Sequence, residues 1–175
     1  MLNFSIAYGK TAHGLSKDWG VTYAEAQDMV NAWYSDRPEV LAWQKQTIEN
    51  ARKTGATRTL MGRYRALEYI NSRKQGLRNG AERQAINTPI QGGAADLMTL
   101  AMLKLRESEW LRENGFQLLL QIHDEVIFEG PEHLAEQAKE EVVRCMEQPF
   151  DEHLPGLEVD LVVDAKTAFT WYDAK

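Results

Sequence analysis

The chain has 175 residues, 43% of them apolar and 26% charged, with a formal net charge of −6. This composition fits one globular domain, or a piece of a larger one, and excludes a fibrous or disordered chain. No apolar run approaches the ~20 residues of a membrane span, and the single cysteine, Cys145, excludes an internal disulfide.

His13, His123, His133 and His153 are too scattered for a zinc site. The first residues show neither a charged-then-apolar signal pattern nor an Arg-rich amphipathic presequence. The charge is unevenly spread. Residues 45–83 hold ten of the twenty Lys/Arg against three acids, Glu49, Glu68 and Glu82, a local balance of +7 that leaves −13 for the remainder. A basic middle within an acidic whole suits either a face that meets a polyanion or an ordinary solvated surface.

In chain order, Phe4 and Tyr8 are spaced i, i+4, which puts both rings on one face of a helix that Gly9 or Gly14 could end. Gly9-Lys10-Thr11 has the wording of a P-loop tail, but the pattern needs a glycine where Phe4 stands, so it is not one. Thr22-Tyr23-Ala24-Glu25 is a capping box that starts a helix carrying Ala26, Met29, Val30 and Trp33. Asp36-Arg37-Pro38 breaks it, and Pro38 suits the first turn of a second helix running to Gly55. Thr57–Leu60 and Tyr64–Leu67 read as short strands around Gly62, and residues 71–80 as a loop. Arg83, Asn87 and Gln91 then form a polar stripe at four-residue spacing, made of types that hydrogen-bond to bases and phosphates, although a solvated face would look the same. Pro89 should kink that helix or start a new one. A long apolar-faced helix follows, from Ala94 to a stop at Asn114-Gly115.

Two apolar runs, about 116–122 and 125–129, flank His123-Asp124-Glu125. They predict a tight hairpin with the three ionisable residues at its tip. The tip lacks the Asn-Gly, Asp-Gly or Gly-X pair that two-residue turns prefer, which favours a functional tip over a plain solvated turn. A helix carrying Leu134, Ala138, Val142, Cys145 and Met146 follows and stops at Pro149. Pro155-Gly156 marks a turn, and residues 157–164 read as a final strand pairing with the hairpin. The predicted fold class is α+β, with helices packed on one face of a small antiparallel sheet.

These pieces resemble family A DNA polymerases, the relatives of bacterial DNA polymerase I. Asn3–Gly9 is similar to the end of motif B, Glu82–Gly92 to the helix that tracks the primer–template minor groove, and Gln121–Glu125 to motif C. The order and spacing match across the whole chain. Ser5–Thr11 and residues 163–172 are worded more like plant and protist organellar members than bacterial ones, which implies a plastid or mitochondrial setting. The resemblance implies a fingers segment over residues 1–70 and half of a palm over 71–175. It implies that Asp124 ligates catalytic Mg²⁺, with Glu125 as an auxiliary carboxylate, and that His123 contacts the primer end. Adjacent strand residues point oppositely, so both carboxylates could face a metal only if the turn distorts the backbone. Phe4 would pack by the sugar of the incoming dNTP and Tyr8 by the nascent base pair. Arg83, Asn87 and Gln91 would hold primer–template DNA. The implied reaction is two-metal nucleotidyl transfer.

The chain also departs from the family. No Asp-Tyr-Ser-like motif A is present, and the motif B cations that bind triphosphate are not among these residues. Asp96, Asp160 and Asp164 match no family metal position and read as surface or edge charges. The expectation is therefore a fragment that needs the rest of the polymerase chain, is inactive alone, and exposes a sheet edge. Two other readings use the same residues: a non-catalytic nucleic-acid-binding module, and a compact metal-dependent hydrolase centred on His123-Asp124-Glu125, which has too few ligands.

Overall fold

The computed structural model describes residues 2–150 and 157–174, with side chains from residue 4 onward. The chain divides into two compact units, residues 1–93 and 94–175. His153 and the Pro155-Gly156 turn lie outside the described residues.

The first unit is mostly helical. It contains α1 (Leu2–Ala7), α2 (Ala12–Trp19), α3 (Tyr23–Asp36), α4 (Pro38–Thr54), the strands β1 (Ala56–Arg58) and β2 (Tyr64–Ala66), and α5 (Gln75–Asn87). The capping box is complete: Thr22 and Glu25 each bond the other's backbone N–H. Pro38 opens α4 and Gly55 closes it. α2 was not legible from apolar periodicity, being too short to show one. Its signals are its caps. Thr11 Oγ1 accepts from Gly14 N at 3.3 Å, and Gly20 takes φ +67°, a left-handed conformation that glycine adopts without a Cβ penalty. Gly14 therefore sits inside a helix, and α1 ends before Gly9.

Ile6, Ala12, Leu15, Ala26, Val30 and Trp33 form one core, whereas Met29 is 41% exposed. A second core joins Ala51, Leu67, Ile70, Ala81 and Ala85. This burial explains why α5 starts at Gln75, inside the predicted loop. Gly76 and Gly80 cost helix propensity, but Ala81 and Ala85 pack inward, and Glu82 pairs with Arg52 of α4 at 2.5 Å. Pro89 does interrupt α5: residues Thr88–Gly92 form a π-helical turn where proline removes a helical N–H.

The second unit holds α6 (Gly93–Glu107, which begins at the boundary), α7 (Glu109–Glu113), the hairpin β3 (Gln117–Ile122) and β4 (Glu125–Glu129), α8 (Ala135–Glu147) and α9 (Trp171–Ala174). The single long helix predicted to Asn114 breaks at Ser108, which turns to φ −61°, ψ 107° and caps α7. Ser108 is buried, and its hydroxyl donates to Glu141 Oε1 at 2.6 Å. Leu105, Leu111, Ala138, Val142 and Cys145 make the core, joined by Trp110, Phe116, Val126, Phe128 and Met146. Gly130 is required by close approach, because a Cβ there would fall 2.2 Å from the Phe116 ring.

The final strand is a correction. Among the described residues both sheets are two-stranded, and 157–164 joins neither. The segment keeps a strand-like alternation of half-buried and exposed residues over 161–166. Its partner, though, is a helix. Val163 N donates to Glu147 Oε1 at 3.2 Å and Thr167 Oγ1 to Glu136 Oε1 at 2.8 Å, so the segment runs antiparallel along α8. Alternation reports half-burial and cannot say what does the burying. Asp96 is a second correction: it is buried and partnered, not a surface charge.

Two predictions follow from the second unit. Arg144 donates to Glu141 through Nε and Nη2, both at 2.8 Å, and holds the Glu141 carboxyl down at about 2. A depressed folded pKa stabilises above the unfolded value of 4.5 and is lost as pH falls toward 2. Glu141→Gln should cost about 1.5–3 kcal/mol near neutrality and flatten the acid limb between those values, read by urea melts at several pH values. Separately, Leu118, Leu119 and Leu120 are 39%, 50% and 44% exposed beside an unpaired edge. The chain should self-associate with concentration, and Leu119→Lys should reduce that in sedimentation velocity. A monomeric wild type would refute it.

Candidate nucleic-acid and carboxylate sites

The sequence-predicted residues fall into two groups, one in each unit. In the first unit, α1 is held by Gln44 of α4, a side chain only 4% exposed. Its Nε2 donates to the carbonyls of Ile6 at 3.2 Å and Ala7 at 3.0 Å, and its Oε1 accepts from Tyr34 Oη at 2.7 Å. Burial pushes the Tyr34 hydroxyl's pKa up, so it stays a donor. With Ile6 fully buried, the opposite face of α1 presents Phe4, 68% exposed, and Tyr8, half-buried, follows on that side just past the helix, its N–H on Phe4 O at 3.0 Å.

Phe4 and Tyr8 open on a pocket of about 470 Å³ lined also by Ser5, Lys10, Thr11, Gly14 and Arg83. Arg83 thus joins the two rings from the far side of the unit's sequence. The join is close: a Cβ on Gly9 would sit 3.4 Å from Ile86 Cδ1 and 3.7 Å from Arg83 Cγ. Asn87 lies one turn further along α5. Its Oδ1 is buried with no hydrogen-bond partner, a costly state for a polar atom unless something else satisfies it. Gln91 is exposed in the π turn. That turn holds more residues per revolution than an α-helix, which offsets the drift of a four-residue spacing and keeps Gln91 near the line of Arg83 and Asn87. Ser5, Lys10 and Thr11 were not singled out for this pocket from sequence. The signal for two of them is the Gly9-Lys10-Thr11 wording, which lacks the glycine that a P-loop needs.

In the second unit, Ile122 pairs with Glu125 across the hairpin, leaving His123-Asp124 as a two-residue turn. His123 takes φ +55°, the only positive φ outside glycine among the described residues. This region disfavours side chains, and histidine is among the types found there most often. Gln121 Nε2 donates to the His123 carbonyl at 2.5 Å and braces the turn. Val126 and Phe128 reach the core, so alternation sends Glu125 to the other face of β4. Asp124 sits in the turn beside it. All three ionisable residues are exposed. Among the described residues, no three His, Cys, Asp or Glu side chains gather as a metal site. Asp124 and Glu125 are exposed carboxylates, the hard oxygen donors that Mg²⁺ takes, and two of them are fewer than a ligand set.

A profile of DNA polymerase family A matches residues 1–173. The chain belongs to DNA polymerase family A. It is 54% identical over 175 residues, all of this chain and 17% of the relative, to DNA polymerase I B, chloroplastic/mitochondrial, of Arabidopsis thaliana. It is 41% identical over 174 residues, 99% of this chain and 20% of the relative, to the thermostable DNA polymerase I of Thermus filiformis. The identities place it nearer the plant organellar relative than this bacterial one. The POL domain of Pol1 from M. smegmatis, solved in complex with DNA primer-template and dNTP, superposes with a TM-score of 0.79 at 31% identity, covering 86% of this chain and 26% of that one. The chain thus spans about a sixth to a quarter of these family A polymerases, and its α+β fold is theirs. Among the described residues, no helix is long and apolar enough to cross a membrane.

The turn geometry gives a test. Left-handed backbone costs a side chain ~1–2 kcal/mol and a β-branched one more. His123→Val should lower the urea midpoint of the chain, whereas His123→Gly should match or exceed wild type, its relief partly offset by unfolded-state entropy. If glycine destabilised as much as valine, the imidazole rather than the backbone would be holding the turn.

Proposed function

We propose that this chain forms part of the active centre of a DNA-directed DNA polymerase of family A, acting on primer–template DNA and dNTPs together with the rest of the polymerase chain. The observation that carries this reading is the meeting of Phe4, Tyr8 and Arg83 in one pocket, two aromatic faces with a cation. Such surfaces stack bases and hold backbone phosphates. Phe4 would pack by the incoming sugar and Tyr8 by the nascent pair. Arg83, Asn87 and Gln91 would contact the duplex near the primer end. Minor-groove contacts differ little among base pairs, so such residues check pair shape rather than sequence.

On the hairpin, Asp124 and Glu125 would hold Mg²⁺ as part of a carboxylate set completed by the remaining polymerase, and His123 would touch the primer terminus. When bound, Mg²⁺ would acidify the primer 3′-hydroxyl and neutralise triphosphate charge. The braced turn fixes where these carboxylates stand and spares the reaction that positioning cost. The names of the plant relatives support an organellar setting, plastid or mitochondrion.

The same pocket, two aromatic faces with a cation, also supports a second reading, a nucleic-acid-binding module without catalysis. One experiment separates the two. The 175 residues replace the matched segment of the Arabidopsis polymerase, and primer extension with Mg²⁺ and dNTPs is measured. The chimera should extend primers, and Asp124→Asn should lower kcat by roughly 10²-fold or more, the loss of several kcal/mol of charge stabilisation. The isolated chain should extend nothing. Retained rate in the Asp124→Asn chimera would favour the binding module.

A further inference from the structure

Gly9-Lys10-Thr11 is not a P-loop, yet Lys10 has a defined place. It lines the pocket with Phe4, Tyr8 and Arg83. Its stem lies flat over Gly14 of α2, where a Cβ would come 3.1 Å from Lys10 Cγ and 3.4 Å from Cε. Its ammonium pairs with Asp18, near the end of the same helix. Both side chains are partly exposed, 37% and 47%, and such pairs contribute little to stability. The fold therefore gains little from this pair, while the pocket gains a second cation held in position.

Two cations, two rings and the hydroxyls of Ser5 and Thr11 thus surround one opening. Phosphate is the ligand chemistry that the cations and hydroxyls share, while the rings offer faces on which a base can stack. The phosphate could come from a nucleic-acid strand or from the triphosphate of a nucleotide. Lys10 lies in the loop beyond the C-terminal end of α1, two residues after Tyr8, and lines the same pocket, so it stands near the base that Tyr8 would face. We infer that Lys10 binds a backbone phosphate of the template strand next to the templating base, and that Asp18 is its counter-ion until DNA arrives. This rests on the polymerase reading above. The phosphate exchanges for the carboxylate, so Asp18 competes with DNA for one ammonium. Lys10 and Asp18 then have opposite effects on DNA binding, which a purely structural salt bridge would not produce.

The test is binding of the 175-residue chain to a labelled primer–template with a single-stranded template overhang, over a salt series. Lys10→Met should weaken binding several-fold and reduce the slope of log K against log salt by about 0.7–0.9, one phosphate contact. Asp18→Asn should tighten binding. A blunt duplex should show neither effect, and competition by a free dNTP should be unchanged by either substitution. The inference is overturned if Lys10→Met leaves the slope intact, if Asp18→Asn weakens binding as Lys10→Met does, if the blunt duplex responds equally, or if only dNTP competition changes. A wild-type chain that binds no primer–template at all overturns the polymerase reading and this inference together. Normal wild-type binding with an indifferent Lys10 overturns this inference alone.

Discussion

The amide of Gln44 is the constraint on which the first unit's chemistry depends. α1 has six residues, far fewer than a helix needs to persist in water by itself. Its C-terminal carbonyls need partners from beyond the helix: Ser5 O accepts from Lys10 N and Ile6 O from Gly9 N, both at 2.9 Å. Gln44 adds a second bond to Ile6 O and supplies one to Ala7 O from within the core, and Tyr34 fixes the orientation of the amide by donating to its oxygen. Ile6 supplies the apolar half of the same anchor. A buried amide with a partner lost would be left unsatisfied, at a cost comparable to the bonds themselves. The network therefore has one low-energy arrangement, and it is the arrangement in which Phe4 and Tyr8 face outward. Burial of one face and exposure of the other are set by the same few atoms.

Legibility in the sequence followed how local each determinant was. The capping box of α3, Pro38 at the start of α4 and the length of the β3–β4 hairpin are encoded within a few residues, and the structure has them where the sequence placed them. Determinants that act across the chain were not legible. α5 begins six residues before Ala81 because α4 covers its alanines and Arg52 reaches Glu82. Ser108 breaks α6 from α7 because Glu141, on α8, accepts its hydroxyl. Residues 157–164 have the alternation of a strand, but α8 rather than β3 or β4 lies beside them. In each case the local pattern was genuine and the partner was the missing information.

The sites divide in the same way. The i, i+4 spacing placed Phe4 and Tyr8 on one helical face, and the stripe spacing placed Arg83 and Asn87 on another. That Arg83 meets the two rings in one pocket could not be derived from spacing. It follows from Gly9 letting the end of α1 settle against Ile86 and Arg83. Lys10 was hidden for a different reason. Read as a motif it failed, and only its path over Gly14 to Asp18 shows what it faces. The carboxylates of the hairpin were visible from the first, since two apolar runs around three ionisable residues leave few alternatives. That this pair is too few for a whole metal site was legible as well; what the run of letters could not supply was how the turn is set, with His123 at φ +55° and Gln121 bracing its carbonyl.

The hairpin shows how such a pair can be held by little structure. Only one face is anchored, through Val126 and Phe128 on the α7–α8 core. The other carries Glu125, and Leu119 bulges out of register where Leu118 faces Phe128 and Leu120 faces Ile127. A bulge increases local twist and re-aims what lies beyond it. The ladder then closes in two residues, the shortest turn available, with left-handed His123 as the cost. A glycine would meet that cost more cheaply, so stability alone does not account for an imidazole there. Strain kept where a cheaper residue would serve is informative because the surroundings must hold it in place, and here Gln121 braces the turn's carbonyl. Were these three the working groups of the proposed polymerase, they would need to be consecutive and rigid more than the turn needs to be relaxed. That requirement would account for a tip whose sequence breaks the preferences of the turn it adopts.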